Sequence, residues 1–147
     1  LILFFIDRFS KIYVIELAEK TEISEIYITS FLNSYLVWNT GIAFGLFSLS
    51  NELTYNLFTI LIVLINLIIF YLIISTKDFR RYFFLLILGG SFGNLFDRLY
   101  YRSVPDFIDF HIGNFHWFIF NIADIFITVG VICLILAELL YKKEVNE

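Results

Sequence analysis

The chain has 147 residues, of which 60% are hydrophobic and only 16% charged. That is more apolar surface than a soluble domain of this length buries in its own core, so the expected solvent is lipid. A net charge of −4 offers no basic patch and excludes nucleic acid as a partner, and one cysteine, Cys133, excludes an internal disulfide.

Four apolar runs follow in order, at residues 1–17, 57–75, 82–96 and 122–141. A spanning helix needs about 20 residues. The second and fourth runs reach this outright. The first, which opens at Leu1 in a chain without Met, is expected to be the remnant of a longer helix. Asp7, Arg8 and Lys11 interrupt it, and no small-residue cleavage pattern follows, which argues against a signal peptide. The third reaches span length only if its helix continues through Asn94, Asp97 and Arg98.

Residues 18–56 and 101–120 connect these runs. In the first connection, the alternating, β-branched and aromatic stretch 26–37 has the character of a strand. The second holds the only proline, Pro105, and is expected to be a loop. Lys77, Arg80 and Arg81 follow the second run, and Lys142 and Lys143 follow the fourth. With four spans these charges share one side, which the positive-inside rule makes cytoplasmic. Both long connections then face outward, with Trp38 and Trp117 suited to the interface.

This topology gathers Asn39, Asn94, Asp97, Arg98, Asp106, Asp109, Asn121 and Asp124 near one membrane face. Ionisable groups at membrane depth are costly and are functional candidates by default. Spacings of three and four put Asn94, Asp97 and Arg98 on one helix face, and Asn121 with Asp124 on another. Gly89 and Gly93 form a small-xxx-small pair that would admit a neighbouring helix. Each polar residue also has a structural reading: Asn121 as a helix N-cap with Asp124 on the dipole, Asp97 and Arg98 as an ion pair or solvated end residues, Asp106 as a turn cap. Two carboxylates at one apolar boundary are nonetheless what an aspartyl mechanism requires, one ionised to take a proton from water and one protonated to polarise a carbonyl.

The residues also carry a resemblance. Gly89-Gly90-Ser91-Phe92-Gly93-Asn94-Leu95-Phe96-Asp97-Arg98 resembles the GG-x-x-GN-x-x-DR motif of lipoprotein signal peptidases (signal peptidase II). Val104-Pro105-Asp106-Phe107-Ile108-Asp109-Phe110 is similar to their VVDFIDF block, with proline in place of the second valine. Phe120-Asn121-Ile122-Ala123-Asp124 is similar to FN-x-AD, Asn39-Thr40-Gly41-Ile42-Ala43-Phe44-Gly45 to N-x-G-x-AFG, and Asp7-Arg8-Phe9-Ser10-Lys11 to D-x-x-[ST]-K. The blocks stand in the family's order and cover most of the chain.

The resemblance implies an all-α membrane protein: one domain over residues 1–147 with four transmembrane helices, and a β-rich cradle and lid segment outside the cytoplasm from residues 18–56. It implies an aspartic endopeptidase of the bacterial cytoplasmic membrane with Asp106 and Asp124 catalytic. Asn39, Gly41, Phe44, Asn94, Asp97, Arg98 and Asn121 would support the dyad or bind substrate. The substrates would be diacylglyceryl-modified prolipoproteins, cut on the amino side of the lipidated cysteine, with no metal or organic cofactor.

Two other readings stay open. Gly89-Gly90-Ser91-Phe92-Gly93 formally matches G-x-S-x-G and would make Ser91 a serine nucleophile, although no strand precedes it. A small transporter or channel subunit would use Asp97, Asp106 and Asp124 as an ion path, but only Asn66 continues the polarity down the second run. Asp109, His111 and His116 fit no compact zinc spacing.

Overall fold

The computed structural model describes residues 1–22, 25–41, 51–113 and 115–146. In chain order these form α1 (Ile2–Thr21), β1 (Glu25–Thr29), β2 (Leu32–Asn39), α2 (Glu52–Ser75), α3 (Arg80–Tyr101), β3 (Val104–Ile112), β4 (Phe115–Phe120) and α4 (Ile122–Asn146). Phe44 and the expected lid segment lie outside the described residues.

The strands build one antiparallel sheet in the order β1-β2-β3-β4, so the expectation of an all-α chain is corrected. The strand character of residues 26–37 resolves into the β1–β2 hairpin. The loop expected over residues 101–120 is instead the second hairpin, turned at Gly113 with φ +59°. Proline is tolerated at position 105 because β4 pairs with β3 only from Ile108 onward. The start of β3 therefore has one free edge, where a missing N–H costs nothing.

Burial is inverted relative to a soluble protein. Lys11, Asp7, Asp97 and Asn121 are among the largest fully buried side chains, while Leu57, Ile60, Leu64, Ile68 and Tyr71 of α2 are exposed. Apolar side chains outside and charges inside are what a lipid solvent selects. Among the described residues two helices are long and apolar enough to cross a membrane, Glu52–Ser75 and Ile122–Leu140. α1 and α3 carry the charged residues, and those residues face each other. α3 does run unbroken through Asn94, Asp97 and Arg98.

Two glycines set the helix packing. A Cβ at Gly90 would collide with the Ala123 backbone oxygen, so α3 and α4 approach as backbones. A Cβ at Gly93 would collide with the Asp7 carboxylate, so the small-xxx-small stripe makes room for α1 and its charge. At the other end Arg80 bonds both Asp78 and Glu138 (2.7 Å to Glu138 Oε2), tying the α2–α3 loop to the end of α4. The basic loop and the basic tail therefore lie at the same end of the molecule.

Candidate active site

Four elements deliver the polar residues to one cleft. In the β2–β3 register Asn39 pairs with Val104 and Val37 with Asp106. Asn39 and Asp106 are therefore diagonal neighbours on one face, within side-chain reach. Asn39 Nδ2 donates to Asp106 Oδ2 at 2.9 Å, and its Oδ1 accepts from the Gly41 N–H at 2.9 Å.

β4 ends at Phe120, and Asn121 opens α4. The Asn121 Oδ1 accepts from the Asp124 N–H at 3.1 Å, and Asp124 Oδ2 accepts from the Asn121 N–H at 3.1 Å, a reciprocal capping box. The Asn121 Nδ2 is left free to donate to Asp106 Oδ1 at 2.6 Å. One residue thus caps the helix and bonds both Asp106 and Asp124.

From α3, Asn94 Nδ2 donates to Asp124 Oδ1 at 2.8 Å. Its orientation is set by Lys11, whose ammonium donates to Asn94 Oδ1 at 2.9 Å, Asp7 Oδ2 at 2.8 Å and Asp97 Oδ2 at 2.6 Å. An ammonium has only donors, so it must face the amide oxygen, and the amide nitrogen must then face Asp124. Asp7 Oδ1 accepts from the Ala123 N–H at 2.9 Å, and Arg8 pairs with Asp97 while lying over the Phe96 and Tyr101 rings. Arg98 takes another direction, toward the carbonyls of Asn94 at 3.3 Å and Gly41 at 3.4 Å, and its own carbonyl accepts from the Tyr55 hydroxyl at 2.9 Å.

A cavity of about 380 Å³ opens beside these groups, lined by Asp106, Asp124, Asn39, Asn94, Arg98 and Asn121 together with apolar residues of α2 and α4. Burial pushes the Asp106 carboxyl up to about 6, with the Asp124 charge adding to it and the Asn39 and Asn121 amides opposing it. The buried charges stand in groups: Asp7 and Asp97 against Arg8 and Lys11, and Arg98 beside the cavity that Asp106 and Asp124 line.

Of the residues singled out in the sequence, Asn39, Asn94, Arg98, Asp106, Asn121 and Asp124 share this cavity. Gly41 borders it through Arg98. Asp97 does not: its carboxylate turns to α1 and bears on the site only through Lys11, so it shares no working face with Arg98. Asp109 is also elsewhere, with His116 Nδ1 at 2.8 Å from its Oδ2. Ser91 lines the cavity, but His111 stacks on His116 and neither lines it, which leaves the serine without a histidine partner among the described residues. The support from Asp7, Arg8 and Lys11 was not assigned from the sequence. Its signal was the i, i+4 pair of opposite charges inside an apolar run.

The family profile described as Signal peptidase (SPase) II matches residues 1–140. The chain belongs to the signal peptidase II family. It is 54% identical over 148 residues to the lipoprotein signal peptidase of Pelagibacter ubique (strain HTCC1062), covering 100% of this chain and 89% of that protein. It is 42% identical over 143 residues to the lipoprotein signal peptidase of Anaplasma phagocytophilum (strain HZ), covering 96% and 89%. A solved structure described as a bacterial membrane enzyme, determined by the in meso method, superposes with a TM-score of 0.79 at 32% identity, covering 99% of this chain and 87% of that one. A second structure so described gives a TM-score of 0.72 at 33% identity, covering 94% and 90%. With its apolar helices and its likeness to these membrane enzymes, the protein is a membrane protein.

Proposed function

We propose that this protein is an aspartic endopeptidase that removes signal peptides from diacylglyceryl-modified prolipoproteins, cutting on the amino side of the lipidated cysteine. The observation that carries it is the pair Asp106 and Asp124 in one cavity, bridged by the Asn121 side chain and backbone. The pair shares one proton and holds a water. The ionised aspartate takes a proton from that water as its oxygen attacks the scissile carbonyl carbon. The protonated aspartate donates to the carbonyl oxygen. The intermediate then collapses: the C–N bond breaks, the proton taken from water passes to the leaving cysteine nitrogen, and the hydroxyl proton returns to its aspartate. Asp124, at a helix N-terminus, is the resident negative charge, and Asp106 holds the proton. Asn39, Asn94 and Asn121 fix the carboxylates, and Arg98 with Gly41 faces the substrate backbone. No metal or organic cofactor enters these steps. Cleavage of a lipid-modified prolipoprotein by the purified protein, and its loss on Asp106→Asn, tests the reading.

The pH profile follows from the same pair. The active species carries one proton, and Asp106 gives it up near pH 6. kcat/KM is therefore expected to fall on the alkaline side through about that pH, and on the acid side as the second carboxylate protonates. A profile flat from pH 5 to 8 would contradict a shared proton.

All four helices cross the bacterial cytoplasmic membrane, with the sheet and dyad near the outer face and both termini in the cytoplasm. The bond from Arg80 to Glu138 supports this by placing the basic segments together. A cysteine probe at Glu25 should react with an impermeant thiol reagent from outside and one at Asp78 should not. The reverse pattern would overturn the orientation.

A further inference from the structure

A second cavity, of about 340 Å³, lies between β4 and α4 and is lined by Trp117, Phe118, Phe120, Ile125 and Val129. Asp124 and Thr128, one helical turn apart, line both this cavity and the catalytic one. The two spaces therefore meet at the dyad. They differ in chemistry. The catalytic cavity presents amides and a guanidinium, whereas the second presents aromatic and aliphatic side chains with Asp124 and Thr128 at its inner edge.

We infer that the second cavity holds the substrate's S-linked acyl chains beyond their first few carbons, while the signal segment occupies the catalytic cavity. The assignment rests on the function proposed above. A scissile carbonyl at the dyad is separated from the cysteine sulfur by only three intervening atoms, so the lipid must leave the site through a space that borders Asp124. The end of a signal helix brings backbone carbonyls without intrahelical partners. These need donors, which Arg98, Asn39 and Asn94 of the first cavity can supply. Alkyl chains need none, and of these two cavities the second offers the nearly donor-free wall. Its outer rim also continues into the bilayer. Ile125, Val129, Ile132, Leu136 and Leu139 are all exposed, and their spacing of three and four makes one apolar stripe down α4. Chains leaving the cavity would follow this stripe toward the membrane interior.

The test compares peptides of one sequence carrying S-diacylglyceryl groups with long (hexadecanoyl) or short (butanoyl) chains, cleaved by the full-length purified protein. Val129→Trp places an indole in the second cavity at an exposed position. It is expected to lower kcat/KM for the long-chain substrate by about tenfold, the loss for roughly two methylenes no longer buried, and to change the short-chain value by less than about twofold. Val129→Phe should act in the same direction more weakly, and it serves if the tryptophan variant does not fold. Ile74→Trp, on the exposed face of α2 and outside both cavities, should keep the wild-type ratio. An unchanged ratio in both Val129 variants, an equal loss on both substrates, or the same shift with Ile74→Trp would overturn the acyl assignment. Failure of the wild-type protein to cleave either lipidated peptide would instead overturn the function on which it rests.

Discussion

Asp106→Asn and Asp124→Asn should each lower prolipoprotein cleavage by at least about 10⁴-fold, with the protein still folded in the membrane. A general acid or base contributes about 10²–10⁴-fold, and each carboxylate acts twice: Asp124 takes the water proton and passes it to the leaving nitrogen, and Asp106 protonates the carbonyl oxygen and takes that proton back. Asparagine keeps the shape but can neither take nor give the proton. Folding should survive because the asparagine oxygen still accepts from one of the two amides that hold Asp106, so that only one donor loses its partner. Two comparison variants separate this from general damage. Asp109→Asn touches the His116 contact on the second hairpin, away from the cavity, and should stay within about tenfold of wild type. Ser91→Ala should do the same, because no histidine reaches Ser91. Turnover by either dyad variant near the wild-type rate, or complete loss with Ser91→Ala alone, would exclude the aspartyl assignment. The measurement is cleavage of a lipid-modified substrate alongside thermal unfolding of each variant in detergent.

The legible part of this molecule was its polar residues. In an apolar chain each one has to be accounted for, so the order of the spans brought Asn94, Arg98, Asn121 and Asp124 to one end of the helices and helical spacing put them on shared faces. The second hairpin was not legible. Val-Pro-Asp-Phe-Ile-Asp-Phe lacks clean alternation because β3 is buried on both faces for most of its length, and Pro105 reads as a break unless the free edge beside it is known. The direction of Asp97 was hidden for a different reason. Residues 94, 97 and 98 share a broad helix face, and which neighbour each one meets depends on where α1 packs. That in turn depends on Gly93 admitting Asp7.

Lys11→Met is expected to be the most damaging substitution outside the dyad. The Lys11 ammonium is fully buried and satisfies Asp7, Asp97 and the Asn94 oxygen at once. Methionine fills similar volume but leaves two carboxylates with only Arg8 to balance them. Removing one partner of a buried ionic group typically costs about 3–5 kcal/mol, because the remaining charge has no water to return to. For a chain of this size that corresponds to a fall in midpoint temperature on the order of 10 °C. Removing a negative charge together with the positive one should recover much of the loss, so Lys11→Met/Asp97→Asn should be more stable than Lys11→Met alone. Activity should not return with stability. Without the ammonium, nothing obliges the Asn94 oxygen to face α1, and an amide turned over would point that oxygen at Asp124 in place of the N–H it now receives. Unfolding midpoints and kcat for wild type, single and double variants decide the matter. A Lys11→Met protein as stable as wild type would mean that the buried network does not hold α1 to α3. A double variant that regains full kcat would mean that Lys11 acts through stability alone and not through the orientation of Asn94.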